Sequence, residues 1–195
     1  CRIESIDKEQ TTAILLEERP APGEPRQDIR LFLAYMKADK MEWVAQKATE
    51  LGVSAFCPFI SSRCVKVPVG PAAEKAAERQ RRISYEALKQ CGRTRRVDVH
   101  LPISFEQLLG EIEKEGRTAL FAYEASEGSL QKALNALPEG KGIDLIVGPE
   151  GGFSEEEARC IVEKGALSVS LGRRILRGET AAIALLAIAG YETGC

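Results

Sequence analysis

The sequence predicts an α/β fold built on a mainly parallel sheet flanked by helices, and three features carry that reading. Short apolar runs such as IRLFLAY (Ile29 to Tyr35), TALFAY (Thr118 to Tyr123) and IDLIV (Ile143 to Val147) have the length and near-continuous apolarity of strands buried on both faces. Segments with helical spacing alternate with them, and no internal repeat or low-complexity block interrupts the alternation. Two runs end in glycine-bearing loops, Gly148-Pro149-Glu150-Gly151-Gly152 and Gly172 to Gly178, each followed by a helix start. Sheets of this kind take ligands at the carboxyl ends of their strands.

In chain order, Cys1 to Glu18 reads as two short strands around Asp7-Lys8-Glu9-Gln10. A hairpin of this size is not a stable domain by itself. The sequence opens on Cys1 and enters a strand pattern at once, so part of an N-terminal domain is expected to lie ahead of it. Arg19 to Pro25, rich in Pro and Gly, marks a linker. Residues 1–25 are thus expected to be a β remnant with its linker, and 26–195 the main domain. Asp39 with Glu42 signals a helix cap, Met41, Val44, Ala45, Ala48 and Leu51 keep helical spacing, and Gly52 stands at the C′ position. Trp43 on this helix is expected to pack inward. Val53 to Phe59 returns to strand character, and Pro71 opens a polar helix to about Gln90. A strand over Val97 to Leu101, a Ser104/Gln107-capped helix, the Thr118 strand and a short helix near Leu130 to Leu137 lead to Ile143. Ser154 with Glu157 forms a capping box, Leu167 to Leu171 is the last strand, and Glu179 opens the last helix. Its stretch Thr180 to Ala189 is apolar around its circumference and is predicted buried on every side, as a core helix or between two copies.

With 195 residues and 44% hydrophobic content, the chain supports one good core plus a smaller appendage. No run approaches eighteen consecutive apolar residues and no charged-then-apolar leader is visible, which points to a cytoplasmic protein that does not enter membranes. The six cysteines are widely spaced without a C-x-x-C pair and read as reduced thiols. His100 is the only imidazole, so a zinc site is not expected. A net charge of −2 gives no global argument for a nucleic-acid partner. Locally, Ala72 to Arg96 holds Lys75, Arg79, Arg81, Arg82, Lys89, Arg93, Arg95 and Arg96 against Glu74, Glu78 and Glu86. That run suits a polyanion, and a solvated helix face explains it equally.

The glycine loops invite a phosphate reading. Neither matches G-x-x-x-x-G-K-[ST] or G-x-G-x-x-G, however, and Glu150 inside the first opposes a polyphosphate. Taken together, GPEGGFS, LG and ILRGETA closely resemble the SPOUT methyltransferases, and within them the RsmE family. The resemblance extends through Lys47-Ala48-Thr49-Glu50-Leu51-Gly52-Val53, Pro58, Glu86-Ala87 and Gln90 to Arg93, covering about Leu31 to Tyr191. One departure stands out: Gly178 occupies the place of an expected threonine.

That resemblance implies a trefoil knot in the C-terminal part, a PUA-like β-barrel ahead of it whose last strands are Cys1 to Glu18, and a homodimer. It implies methylation of uridine N3 in small-subunit ribosomal RNA, free or in the assembled subunit, with S-adenosylmethionine as cofactor. Cofactor contacts are then expected from Ala122, Tyr123 and Glu124, from Val147, Gly148, Pro149, Glu150 and Gly151, and from Leu171, Gly172, Ile175, Leu176, Arg177 and Thr180. Leu171, Gly172, Ile175 and Leu176 suit an adenine slot, and Glu124, Glu150 or loop carbonyls a sulfonium. Arg177 is expected to stabilise the uracil anion, water or the neighbouring carboxylate Glu179 to take the N3 proton, and Arg93, Arg95, Arg173 and Arg174 to hold RNA. No metal is expected. The competing readings are a non-catalytic α/β module that binds RNA or a nucleotide through the same features, and a SPOUT methyltransferase with another RNA target.

Overall fold

In the computed structural model, residues 1–18, 23–138 and 140–194 are described, so Arg19 to Pro22 of the expected linker lies outside the described residues. The strands β1 (Arg2–Ile6) and β2 (Thr11–Ile14) pair antiparallel as a hairpin of their own. Asp7 turns it, its Oδ1 accepting from the backbone N–H groups of Glu9 and Gln10 at 2.8 and 2.9 Å.

The main sheet contains β3 (Ile29–Ala34), β4 (Ala55–Phe59), β5 (Asp98–Val99), β6 (Arg117–Ala122), β7 (Gly142–Val147) and β8 (Leu167–Val169). Its order is β5-β4-β3-β7-β6-β8, with every pairing parallel. The connections carry α1 (Ala38–Glu50), α2 (Pro71–Cys91), α3 (Phe105–Ile112), α4 (Leu130–Asn135), α5 (Glu155–Glu163) and α6 (Gly178–Thr193). Strand alternation divides the interior into two layers. Ile29, Leu31 and Leu33 of β3 with Ile143, Leu145 and Val147 of β7 pack against α1, α4 and α6. Phe32, Ala34 and Ile146 face the other way, toward Leu108 of α3 and Ala158 and Ile161 of α5.

Asp144 breaks the apolar run of β7 and is only 1% exposed. Its carboxylate receives a two-pronged guanidinium from Arg30 of β3 at 2.7 and 2.8 Å, and Nε of Arg117 from β6 at 2.6 Å. The second guanidinium nitrogen pairs Arg117 with Asp28, and Arg30 also reaches Glu111 of α3 at 3.0 Å. Two cations and their hydrogen bonds are what make a buried carboxylate tolerable. The three central strands are therefore locked together near one end of the sheet.

Several expectations are corrected. Asp39 lies inside the first turn of α1, where its charge suits the positive end of the helix, and the N-cap Lys37 makes no side-chain cap bond. Trp43 is 45% exposed, because Met41, Val44, Ala45 and Ala48 already fill the inward face of α1. Within one chain the last helix is buried on one side, where Ala182, Leu185, Leu186 and Ala189 face the core, and Ile188 is 40% exposed, so the core-helix alternative does not cover the whole Thr180 to Ala189 stretch. The capping boxes Ser104/Gln107 and Ser154/Glu157 form as read.

Replacing Asp144 with Ala leaves two guanidinium groups facing each other without their shared anion. A loss of about 3–5 kcal/mol is expected from urea unfolding, the range for breaking a buried ion pair from one side. A loss below about 1 kcal/mol would show that the network does not hold the strands.

Candidate active site

The register of the sheet sets the site. Ala122, the last residue of β6, lies level with Val147 of β7 on one side and Val169 of β8 on the other. The loops that follow these residues leave the sheet at one height and converge. Tyr123 N–H donates to the Val169 carbonyl at 3.1 Å, and Ser170 N–H to the Gly128 carbonyl at 2.9 Å, which ties the first and third loops. The second loop is anchored from elsewhere. Arg63, beyond β4, donates to the Gly151 and Phe153 carbonyls at 2.9 and 3.2 Å, and buried Glu157 accepts from Ser62 N–H at 2.7 Å and Ser154 N–H at 2.9 Å.

Between the loops lies a cavity of about 280 Å³, at the small end for a ligand pocket. Its wall combines apolar side chains of Val147, Leu171, Ile175, Leu176 and Ala181 with the carboxylates of Glu124 and Glu150. Backbone forms much of the remaining wall. Gly152 has φ of +67°, and a Cβ there would stand 2.9 Å from Glu124 Oε1. At Gly178 a Cβ would meet the Gly148 carbonyl oxygen at 3.1 Å and Met36 Sδ at 3.0 Å. The start of α6 thus packs closely on the first glycine loop, where a side chain at 178 would push its neighbours by a few tenths of an ångström.

Of the residues expected to bind the cofactor, Ala122, Tyr123, Glu124, Val147, Gly148, Pro149, Glu150, Gly151, Leu171, Gly172, Ile175 and Leu176 all line the cavity. Arg177 and Thr180 do not; both are exposed at the start of α6, beside lining residues Leu176, Gly178 and Ala181. Arg174, expected on RNA, is exposed and also lines the cavity, while Arg173 and Arg95 are exposed outside it. Arg93 requires a correction. It is 7% exposed and its guanidinium donates to the Thr49 and Val53 carbonyls at 2.9 and 2.8 Å and to Glu24 at 3.0 Å. Thr49 lies in the last turn of α1 and Val53 just beyond its end, so the Arg93 guanidinium is occupied inside the chain rather than presented to RNA. The sequence reading missed Gly152, Phe153, Ser170, Gly178 and Ala181 as lining residues, although the first two sit within the GPEGGFS motif already singled out.

Missed entirely was Lys40 of α1. Its ammonium bridges Glu150 of the glycine loop at 2.7 Å and Glu179 of α6 at 3.0 Å. Those two hydrogen bonds hold the lysine above its ordinary pKa. Partial burial opposes ionisation of Glu179, yet its own backbone N–H, the Lys40 ammonium and nearby Arg177 together keep its carboxyl below the usual carboxylate value.

A family profile described as an RNA methyltransferase domain matches residues 23–190. The ribosomal RNA small subunit methyltransferase E of Bacillus subtilis (strain 168) is 33% identical over 201 residues, spanning 99% of this chain and 77% of the relative. The chain belongs to the ribosomal RNA small subunit methyltransferase E family. The family member of that name from Aquifex aeolicus is also 33% identical, over 96% of this chain and 79% of its own. The structure of the Neisseria gonorrhoeae methyltransferase E bound to S-adenosyl methionine superposes with a TM-score of 0.83 at 32% identity, covering 96% of this chain and 75% of that one. Among the described residues no helix is long and apolar enough to cross a membrane, and no group of three or more His, Cys, Asp or Glu is arranged to hold a metal.

Substituting Lys40 with Met removes the cation from between two carboxylates, so Glu179 is expected to titrate closer to its ordinary value. A carboxyl depressed in the folded state contributes stability above its unfolded pKa, lost as the pH falls through the folded one. The variant should accordingly lose less stability than the parent on acidification through that range. Side-chain carboxyl NMR titration of Glu179 checks the shift; an unchanged midpoint would contradict the bridge.

Proposed function

We propose that the chain transfers the methyl group of S-adenosylmethionine to N3 of a uridine in small-subunit ribosomal RNA. The observation that carries this reading is the convergence of three strand-end loops on one pocket with an apolar slot and two carboxylates, in a member of the methyltransferase E family. The residues fit the cofactor. Leu171, Ile175, Leu176 and Val147 offer an apolar bed for adenine, with peptide groups of the loops as its hydrogen-bond partners. Glu124 and Glu150 offer negative charge to a sulfonium, and neither loop has the form of a phosphate cradle. When bound, S-adenosylmethionine supplies an electrophilic methyl group.

The chain's own task is positioning and charge control. Uridine N3 gains a methyl group and loses its proton, and negative charge spreads to O2 and O4 as that proton departs. Arg177, exposed at the pocket rim, offsets that charge. Glu179 is held ionised by Lys40 and Arg177 and has a low proton affinity, which makes it a weak base; its part is to hold Lys40 and the glycine loop in place. The N3 proton leaves to solvent. Arg95, Arg173 and Arg174 serve as RNA contacts, Arg174 at the boundary with the cofactor pocket.

The same reading includes three further features. A knotted C-terminal segment is supported by α6 leaving the β8 edge yet packing on β3, β7 and α1. Dimerisation is supported by the exposed apolar flank of α6 at Ile188 and Tyr191, and a PUA-like barrel around β1 and β2 by the exposed Ile3 and Ile6 of β1 and Ile14 of β2. We further propose that the chain acts in the cytoplasm, where ribosomal RNA is available to it.

Incubating the chain with S-adenosylmethionine and small-subunit RNA, then analysing nucleosides by mass spectrometry, is expected to yield 3-methyluridine. A different methylated nucleoside would overturn the N3 assignment, and no methyl transfer to free RNA or to the assembled subunit would overturn the enzymatic one. Arg177→Ala is expected to lower turnover by roughly 100-fold or more while leaving cofactor affinity within a few-fold. Full turnover by that variant would remove Arg177 from the chemistry.

A further inference from the structure

A second concavity lies at the opposite edge of the sheet, between α2 and β5. Its volume is about 590 Å³, twice that of the strand-end pocket, and its walls include Arg81, Arg82, Tyr85, Arg96 and His100. On α2, positions 78, 81, 82, 85 and 89 form one stripe at helical spacing, so the residues Glu78, Arg81, Arg82, Tyr85 and Lys89 share a face. The charged groups there divide in two. Arg81 is committed to the protein: it donates to the Val99 carbonyl at 3.1 and 3.3 Å and pairs with Glu78 at 3.6 Å. By capping a carbonyl on the outer edge of β5, it also makes that edge a poor template for an added strand. Arg82, Arg96 and His100 are exposed, and among the described residues none of them has an ion pair. Asp98 and Glu78 are the acidic residues of the same wall, Glu78 being the one paired with Arg81.

Tyr85 is 43% exposed, with the Arg96 guanidinium 5.0 Å and the Lys89 ammonium 5.1 Å from its ring centroid. A solvated helix face requires neither a concave wall nor an aromatic ring held among cations. A single-stranded nucleic acid uses both: its phosphates take the arginines and its bases take the aromatic and guanidinium planes. We propose that this groove binds a single-stranded segment of the RNA substrate, as a contact separate from the methylation pocket. The proposal rests on the RNA-methylating reading above. Three strand spacings separate β5 from β7, roughly 14 Å, so a continuous strand can engage both places. The basic run of α2, which the methylation pocket does not use, thereby acquires a ligand.

The test is fluorescence anisotropy of the full chain with a fluorescein-labelled single-stranded RNA of about twelve nucleotides, within the range of single-strand sites. Loss of two phosphate contacts in the Arg82→Ala/Arg96→Ala variant is expected to reduce the steepness of log affinity against log salt by about 1.4. Tyr85→Leu is expected to weaken binding about fivefold or more. Arg159→Ala, on distant α5, should bind as the parent does. Calorimetric affinity for S-adenosylmethionine should remain within about twofold in all three, confirming intact folds.

Parent-like RNA affinity and salt dependence in the double variant would overturn the proposal. An equal loss in Arg159→Ala would do so too, by showing diffuse attraction alone. Displacement of the RNA by a polyglutamate peptide as readily as by unlabelled RNA would favour an acidic protein partner instead. Failure of the methyltransferase reading registers separately, as a parent chain that neither binds S-adenosylmethionine nor transfers methyl groups.

Discussion

The buried carboxylate of Asp144 is the constraint on which the rest of the molecule depends. Placed in the middle strand of a parallel sheet, it is tolerable only where two guanidinium groups reach it, and Arg30 and Arg117 come from the strands on either side. A wholly apolar strand buried on both faces would discriminate its register less sharply than one whose buried charge must meet two partners, and Asp144 makes β7 the second kind. Fixing β3, β7 and β6 near one end of the sheet fixes the height of Ala122 and Val147 at the other. The pocket is a consequence of that register.

The two ends of the sheet treat charge in opposite ways. At the Asp144 end the charges of the network are matched inside the chain, Asp144, Asp28 and Glu111 facing Arg30, Arg117 and Lys114. At the carboxyl end the matching is incomplete. Lys40 draws Glu150 and Glu179 together but has one positive charge for two negative ones, and Glu124 adds another carboxylate to the pocket wall. A negatively biased, partly apolar cavity suits a cationic ligand with a flat apolar portion, and the arginines at its rim suit a polyanion beyond it.

Much of this was legible in the sequence. Runs of β-branched and apolar residues set the central strands, and the Ser104/Gln107 and Ser154/Glu157 pairs located two helix starts because both partners of a capping box lie within one turn. The pocket wall was readable because its residues follow directly from strand ends. What escaped depends on residues distant in sequence. Lys40 is 110 and 139 positions from its two partners, and nothing in its neighbours marks it. Arg93 looked like a surface cation in a basic run, yet the Thr49 and Val53 carbonyls and the Glu24 carboxylate hold it inside. Exposure of Trp43, Ile188 and Tyr191 was equally invisible, since composition records apolarity and not which side of a helix the core has already filled.

The central claim is that three loops, levelled by strand register, form one cofactor site. Backbone amide NMR of the full chain titrated with S-adenosylmethionine tests it most directly. Saturable shifts confined to the loops after Ala122, Val147 and Val169 and to the start of α6, with the α2 and β5 groove unmoved, are the predicted result. Shifts centred on α2 and β5, or none at all in a folded sample, would contradict it.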